Sequence, residues 1–162
     1  LVSRLKMKAR KSRRQVPILL DTRYGLLRYK GLTACAPNEA EVENTLGIKI
    51  EDNKRVLEKA GKELLARTRM SAVLVTRGSR GMALFQANRP VITIPIFGSD
   101  EIADVTGAGD TVIATVTLAL AAGANFEQAA RLANYAAGLV VMKRGTSTVD
   151  VDELRRALSL DN

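Results

Sequence analysis

Short apolar runs alternate along the chain with amphipathic stretches, and the two patterns predict strands and helices in turn. The apolar runs are too short for helices and are bounded by polar or turn-forming residues, which is typical of strands. They cover residues 16–20, 33–36, 72–75, 82–86 and 91–95. Residues with helical periodicity cover 1–14, a segment starting at Pro37-Asn38, 52–67, 111–122, 126–143 and 151–158. Because strands and helices alternate repeatedly, we expect an α/β fold with a mainly parallel sheet and helices on both faces.

Several predicted helices and one predicted hairpin have capping or turn residues at their boundaries. Asn38 precedes Glu41 by three residues, the spacing of a capping box, and Asp150 is placed to cap the last helix. Gly123 is expected to end the preceding helix, whose residues 111–122 are apolar nearly all round and are therefore predicted to be buried. The next helix presents a face of small residues that permits close packing: Ala129, Ala133, Ala136, Ala137 and Val140. Residues 82–86 and 91–95 are predicted to form a hairpin with Asn88 in its turn.

Composition restricts the chemistry more than it restricts the fold. A chain of 162 residues, 46% hydrophobic and 26% charged, has the size and balance of one globular domain. The only cysteine is Cys35, which excludes a disulfide framework and favours a reducing, cytoplasmic location. Histidine is absent, so histidine-based triads and histidine metal sites are excluded, and any general base must be a carboxylate, a lysine or a tyrosine.

The net charge of +8 is concentrated at the start of the chain. Seven basic residues precede the first acidic one, Asp21: Arg4, Lys6, Lys8, Arg10, Lys11, Arg13 and Arg14. Such a cluster binds nucleic acid or an anionic membrane in some proteins and is merely a solvated helix face in others. No aromatic residue lies among these residues for base stacking, and we favour the solvated face over a nucleic-acid partner. No apolar run is long enough to span a membrane, and no signal-peptide core is present.

The segment with the most chemical information is Asp104-Val105-Thr106-Gly107-Ala108-Gly109-Asp110-Thr111, which leads into the apolar helix. Its glycines allow a tight turn and a close approach of the backbone to a ligand. The first N–H groups of a helix lack intrahelical acceptors and carry part of the positive end of the helix dipole, so they bind anions such as phosphate. Asp110 would lie beside that anion. The alternative is an ordinary tight loop followed by a surface aspartate.

This octad resembles the signature D-T-T-G-A-G-D-T of the PfkB (ribokinase-like) carbohydrate kinases, with Val105 as the only departure. The resemblance implies a three-layer α/β/α ribokinase-like fold and transfer of the γ-phosphoryl group of ATP to a sugar hydroxyl. It implies that Asp110 is the general base. It also implies that the backbone amides of Gly107, Ala108 and Gly109 form an anion hole for the transferring group.

Two further segments match motifs of the same family. Residues 38–41 (N-E-A-E) resemble its N-x-x-E motif, in which Asn38 and Glu41 would arrange Mg²⁺ and the nucleotide phosphates, Glu41 partly through water. A simple capping box has the same spacing and stays open as the alternative. Residues 76–81 (T-R-G-S-R-G) resemble the T-x-G-x-x-G turn that lies against the nucleotide, which assigns Thr76, Gly78 and Gly81 to nucleotide binding. The two arginines of this turn contact either phosphates or water.

The remaining resemblances are more local. Asn134 lies where the family has an asparagine near the adenine. Asp104, with Thr106 and residues 143–149, resembles a monovalent-cation site that would hold K⁺, although Lys143 and Arg144 crowd that segment. Residues 21–31 are similar to the branch that contains the heptose-phosphate kinase half of ADP-heptose synthases. This similarity makes a phosphorylated heptose or a related sugar phosphate the leading substrate.

The sequence therefore predicts an ATP-dependent sugar kinase, or its nucleotide-binding half. The resemblance covers nearly all of this chain but only the C-terminal half of the family's pattern, so the early strands and the lid that grip the sugar are expected to be absent. Their absence would leave a sheet edge uncovered and favour self-association. The alternative is a non-catalytic nucleotide-binding or assembly module with the same fold. A basic nucleic-acid binder is a third reading, which nothing beyond the first residues supports.

Overall fold

A computed structural model of the protein describes residues 2–12, 16–98 and 104–160, and its elements follow the predicted alternation. The strands are β1 (Leu19–Leu20), β2 (Ala34–Cys35), β3 (Ala72–Thr76), β4 (Met82–Gln86) and β5 (Ile92–Ile94). The helices are α1 (Val2–Lys11), α2 (Glu39–Leu46), α3 (Lys54–Thr68), α4 (Ala108–Ala121), α5 (Phe126–Val141) and α6 (Val151–Leu160). Two short 3₁₀ turns lie at Leu26–Arg28 and Gly78–Arg80.

The five strands form one sheet in the order β1-β2-β3-β4-β5. β1, β2 and β3 pair in parallel, with Leu20 opposite Cys35 and Cys35 opposite Val73. β4 pairs antiparallel with both β3 and β5, so it alone runs in the opposite direction. The predicted mainly parallel sheet and the predicted β4–β5 hairpin are confirmed, with Asn88 left-handed (φ 58°) between the two strands.

Helices pack on both faces of this sheet, since the side chains of β3 are apolar on both faces and need to be buried. Val73 and Val75 are buried against α3 and the segments around it, whereas Ala72 and Leu74 are buried in a second core with α4 and α5. A parallel strand enclosed in this way has no polar alternation, which explains the continuous apolar run seen in the sequence. The predicted three-layer α/β/α architecture is confirmed.

The small-residue face of α5 is confirmed by its burial. Ala129, Ala133, Ala136 and Val140 are fully buried, and Ala137 is half-buried. Gly138 on the same helix lies so close to the segment after β5 that a Cβ would be 2.4 Å from the backbone oxygen of Phe97. The small side chains of α5 therefore let backbone segments approach it closely, and this approach shapes the site described below.

The prediction that the apolar helix 111–122 is buried all round is wrong. α4 buries only the stripe Val112, Val116 and Ala119, while Leu118 is 71% exposed. The helix forms an outer layer, so one side packs on α5 and the sheet and the other side faces outwards. α4 also starts three residues before the predicted Thr111, and Gly107 takes the left-handed conformation (φ 81°) at its start.

Other boundaries differ by a few residues. The predicted strand 16–20 is confirmed only at β1, because the Ile18 N–H donates to the side-chain oxygen of Thr33 (2.8 Å) instead of a strand carbonyl. The helix predicted for residues 1–14 is present as α1, which ends at Lys11. Residues 1, 13 and 14 of that prediction lie outside the described residues. The caps at Asn38 and Asp150 and the left-handed Gly123 (φ 96°) are confirmed.

In the described ranges, no helix is long and apolar enough to cross a membrane.

Candidate nucleotide site

A cavity of about 400 Å³ lies at the edge of the sheet where β2, β3 and β5 end. In open α/β sheets this edge is where ligands bind. The cavity brings together residues from four segments of the sequence-predicted site: Asn38, Thr76, Gly78, Gly81, Ala108, Gly109 and Asn134. The other lining residues are apolar side chains and one glycine, and no sequence motif assigned any of them to a ligand: Met82, Ile96, Val105, Val112, Ala137, Gly138 and Val141. A largely apolar pocket with a few polar groups is typical of a site for a small organic ligand.

Asn38 enters this cavity from the start of α2. Its side-chain oxygen accepts a hydrogen bond from the Glu41 N–H (2.8 Å), and Glu41 Oε2 accepts one from the Asn38 N–H (2.9 Å). The capping box is therefore present, and Asn38 lines the cavity as well. Glu41 is half-buried and is not among the lining residues. Both interpretations of the N-x-x-E segment are thus compatible with one geometry.

The turn at residues 76–81 forms the adjoining wall, because Thr76 forms a β-bridge with Asn38. Thr76 ends β3, and its N–H donates to the Pro37 carbonyl (3.0 Å), which joins this wall to the residue before Asn38. Gly81 has a left-handed φ of 73°, and a Cβ there would be 2.1 Å from the Ile94 oxygen of β5. The glycine that the sequence assigned to the ligand is therefore also required by the packing of the strands themselves.

The two arginines of this turn, Arg77 and Arg80, form ion pairs with carboxylates of the protein. Arg77 Nε donates to Glu39 Oε2 and Arg80 Nη2 donates to Glu39 Oε1, both at 2.8 Å. Arg80 also pairs with Asp52 (2.6 Å). Neither arginine lines the cavity. No sequence motif predicted this role for Glu39, whose only signal is a second carboxylate inside the N-x-x-E segment.

The start of α4 supplies the third wall, and it differs from the starts of α2, α3, α5 and α6. α2, α3 and α5 begin with the side-chain caps Asn38, Asn53 and Asn125. α4 begins with Gly107, which has no side chain to cap the first N–H groups, and Ala108 and Gly109 line the cavity. The Ala108 N–H donates to the Val105 carbonyl (3.2 Å), so the start of α4 presents the N–H groups that follow, beginning with Gly109, and the positive end of the helix dipole to an anion in the cavity.

Asp110 and Gly107 flank this opening without lining the cavity. Asp110 lies in the first turn of α4 and is exposed. Among the residues that the structure describes, its carboxylate has no hydrogen-bond or ion-pair partner. The carboxylate is therefore accessible to a second molecule that approaches the mouth of the cavity from outside.

Asn134 lies on α5 beside the cavity and is 6% exposed. Its Nδ2 donates to the Pro95 carbonyl (2.8 Å), which fixes the segment after β5 against α5. Ile96, the next residue along, contributes an apolar side chain to the cavity. Asn134 therefore shapes the wall of the cavity, and its place near a nucleotide base stays a prediction.

Asp104 connects the two loops that flank α4 and α5. Its carboxylate accepts hydrogen bonds from the N–H groups of Thr106 (2.8 Å) and Gly145 (3.2 Å). Hydrogen bonds from Thr106, and next from Gly145, hold the pKa of Asp104 below its usual value. Lys143 Nζ donates to the Thr148 carbonyl (2.7 Å), which lies in the segment 143–149 that resembles the monovalent-cation site. Two groups of the predicted monovalent-cation segment, the Asp104 carboxylate and the Thr148 carbonyl, thus already accept hydrogen bonds from the protein.

The donor set for magnesium is small. No group of three or more carboxylates and cysteines that could enclose a metal ion occurs among the described residues. Glu41 keeps one carboxylate oxygen, Oε1, outside the capping box. Mg²⁺ retains several waters and is often bound by one or two carboxylates together with substrate phosphates, so a single carboxylate beside the cavity fits this ion.

Comparison with known families agrees with the fold and the motifs. Residues 5–153 match the family model described as pfkB family carbohydrate kinase. The chain therefore belongs to the pfkB family of carbohydrate kinases, as the octad predicted.

Individual relatives place the chain within that family. It is 46% identical over 144 residues to the bifunctional protein HldE of Coxiella burnetii, covering 88% of this chain and 30% of that protein. The fold resembles Arabidopsis thaliana ribokinase complexed with ribose and ATP (TM-score 0.77, 28% identity, 88% of this chain, 47% of that one). It also resembles Giardia lamblia ribokinase (TM-score 0.83, 22% identity, 99% and 55%). The chain spans less than a third of the HldE relative and about half of each ribokinase.

Proposed function

We propose that this chain is the nucleotide-binding half of an ATP-dependent carbohydrate kinase, which transfers the γ-phosphoryl group of MgATP to a hydroxyl of a sugar or sugar phosphate. The observation that carries the proposal is the uncapped start of α4, whose Ala108 and Gly109 open on the cavity between Asn38 and Thr76. Fixed N–H donors stabilise charge on a transferring phosphoryl group without having to reorganise.

The shape of the cavity supports an orientation for the nucleotide. Its polar end is formed by Asn38, Thr76 and the start of α4, where phosphates would lie. Its apolar part, lined by Ile96, Ala137 and Val141 beside Asn134, suits a flat base. The phosphates would then end next to the exposed Asp110, at the mouth of the cavity.

Glu41 and Asn38 are the residues that would hold magnesium, Glu41 partly through water. When bound, the ion neutralises charge on the phosphate oxygens. The capping box fixes both side chains at the start of α2, because each accepts a hydrogen bond from the backbone of the other. These residues therefore keep one orientation before the nucleotide arrives.

Asp110 would act as the general base. Its exposed carboxylate has no competing partner in the described part of the chain, so it is available to take the proton of an acceptor hydroxyl. A carboxylate that does this must come within hydrogen-bond distance of that hydroxyl. The neighbouring amides of Gly107, Ala108 and Gly109 belong to the same turn, which keeps base and anion site adjacent.

The acceptor that we favour is a phosphorylated heptose or a related sugar phosphate. The similarity of residues 21–31 to the heptose-phosphate branch supports it, and so does the 46% identity to an HldE protein. We place the protein in the cytoplasm, because ATP is used there and the reducing environment keeps a cysteine such as Cys35 free.

A second function has one specific observation in its favour. The chain spans 30% of the HldE relative and 47% of the Arabidopsis ribokinase. A piece of this size with the nucleotide site but without a sugar pocket would be a nucleotide-binding or assembly module that does not turn over substrate. The exposed Asp110 beside an uncapped helix favours the catalytic proposal, since a module of this second kind has no use for a base.

Two measurements test the proposal. Calorimetric titration of the 162-residue chain with MgATP is expected to show one binding site per chain, and the absence of binding would refute both functions. Release of ADP is then followed with heptose, hexose and pentose substrates and their phosphates, with a longer HldE protein as positive control. Turnover with a sugar phosphate supports the kinase; binding of MgATP without turnover on any acceptor supports the module.

A further inference from the structure

Glu39 is a buried carboxylate at the centre of an ion-pair network next to the cavity. Its side chain is 11% exposed, and each of its two oxygens accepts a hydrogen bond from a different arginine of the 76–81 turn. The Arg77 side chain is 7% exposed, so both partners of this pair are withdrawn from water. Buried charges of this kind are costly unless each is paired, which makes the geometry of the network narrowly defined.

The network joins three segments that are distant in sequence. Glu39 belongs to α2, while Arg77 precedes the Gly78–Arg80 turn and Arg80 is its last residue. Arg80 Nη1 also donates to the carbonyl of Glu51 (2.7 Å) in the loop before α3. The backbone joins the two sides at Thr76, which forms a β-bridge with Asn38 and whose N–H donates to the Pro37 carbonyl (3.0 Å), so the residues after Thr76 depend on side-chain contacts with α2. The turn itself buries none of its three residues, so packing does little to hold it.

The two segments that this network joins are also two walls of the cavity. Asn38 is the residue before Glu39, and Gly78 is the residue after Arg77; both line the cavity. The side chains of the network do not line it. Since its side chains lie outside the cavity, the network can act on a ligand only through the relative position of these two walls.

We infer that Glu39 is a positioning residue of the nucleotide site, whose carboxylate holds the Gly78–Arg80 turn against the start of α2 at the separation that a nucleotide requires. This inference rests on the proposed function for its ligand. It also gives the arginines a role: Glu39 holds their charges away from the cavity, and anion binding is left to backbone N–H groups.

The test combines a structural readout without ligand and a binding readout with MgATP. Hydrogen exchange is measured for the amides of Arg77, Arg80 and Gly81, which are hydrogen-bonded within the turn. In Glu39→Gln we expect these amides to exchange roughly tenfold faster while the amides of α5 keep their rates, and MgATP affinity to fall roughly tenfold. General destabilisation would instead raise exchange in both places.

Four further variants keep the test decisive. Arg80→Gln removes only the more exposed arginine and leaves the Glu39–Arg77 pair, so it should fold even if Glu39→Gln does not, with a smaller effect in the same direction. Arg77→Lys keeps a donor for Glu39 and should retain most of the affinity that Arg77→Met loses. Glu63→Gln removes an exposed arginine pair on α3 and should change neither readout.

The outcomes separate the inference from the proposed function. Unchanged exchange in the turn of Glu39→Gln and Arg80→Gln overturns the positioning role, whether or not MgATP binds. Faster exchange with unchanged affinity overturns the link to the nucleotide. If the unaltered chain does not bind MgATP, the proposed function fails and this link fails with it, while the exchange data still decide whether Glu39 fixes the turn.

Discussion

Asn38 and Glu41 cap each other: the side chain of each accepts a hydrogen bond from the backbone N–H of the other, at 2.8 and 2.9 Å. The same pair of residues is the proposed magnesium and phosphate element. The protein offers an internal reference for separating the two roles, because Asn125 and Gln128 form an equivalent capping box at the start of α5. Asn125 does not line the nucleotide cavity.

Replacing either asparagine by alanine should destabilise the fold to a similar extent. Loss of an asparagine cap costs about 0.5–2 kcal/mol, which urea unfolding would measure for Asn38→Ala and Asn125→Ala. Only Asn38→Ala is expected to weaken MgATP binding in calorimetric titration. Equal affinities in the two variants would reduce the N-x-x-E segment to a capping box.

Asp110→Asn is expected to lower turnover about 10²–10⁴-fold while leaving nucleotide affinity and melting temperature unchanged. The side chain is exposed and has no partner among the described residues, so its removal costs no contact. Asp152→Asn is the matched control, because Asp152 is an exposed carboxylate in the first turn of α6. Turnover that survives in Asp110→Asn would remove this residue from the chemistry.

Replacing two glycines near the site by alanine should change the free energy of unfolding in opposite directions. At Gly138 the new Cβ would lie 2.4 Å from the Phe97 oxygen, and we expect a loss of about 1–3 kcal/mol in unfolding free energy. At Gly109 no atom lies within 4 Å of the new Cβ, and a helical alanine gains up to about 1 kcal/mol. Gly109→Ala should nevertheless weaken MgATP binding, because its methyl group enters the cavity. A lower free energy of unfolding for Gly109→Ala would contradict the open space around Gly109 at the start of α4.

Acid should destabilise the fold through three carboxylates whose pKa values are lowered. Glu43 is stabilised as the anion chiefly by the Ile50 N–H, Glu153 chiefly by Lys143, and Asp104 chiefly by Thr106. A lowered pKa in the folded state means that the unfolded chain binds more protons as the pH falls, so stability is retained above the ordinary values of 4.5 and 3.8 and lost below them. Urea unfolding between about pH 7 and pH 3 would measure this loss.

The variant Glu153→Gln isolates one part of that acid response. It removes a titrating group, so its unfolding free energy should fall less steeply below about pH 4.5 than that of the unaltered chain. Glu58→Gln, on an exposed i,i+4 pair of α3, serves as the control. Parallel pH profiles for the unaltered chain and Glu153→Gln would contradict the role assigned to the Lys143–Glu153 pair.

Self-association is expected at high concentration. β1 pairs only with β2 within the described residues, so its other edge presents backbone groups to any strand that approaches, and Leu118 is exposed on the outer side of α4. Sedimentation over a range of concentrations should show oligomers, and Leu118→Lys should reduce them. A single monomeric species at the highest concentration would contradict this expectation.

The sequence predicted the α/β architecture well because the relevant signals are local. Apolar runs without alternation located β2, β3 and β4 to within two residues, and the caps at Asn38 and Asp150 located two helix starts. The burial of α4 was wrong for a reason that is not local. An apolar helix is buried all round only if elements pack on every side, and the side with Leu118 meets none that the structure describes.

The candidate site divides in the same way. By itself the sequence determined the motifs, their order along the chain and the family, since each depends on residues within one short segment. The tertiary structure decided that Asn38, Thr76, Ala108 and Asn134 share one cavity, because only the strand order of the sheet places these segments at the same edge. It also decided that the turn arginines pair with Glu39, 38 and 41 residues away. Burial of a carboxylate demands partners, and folding alone determines which cations come within reach.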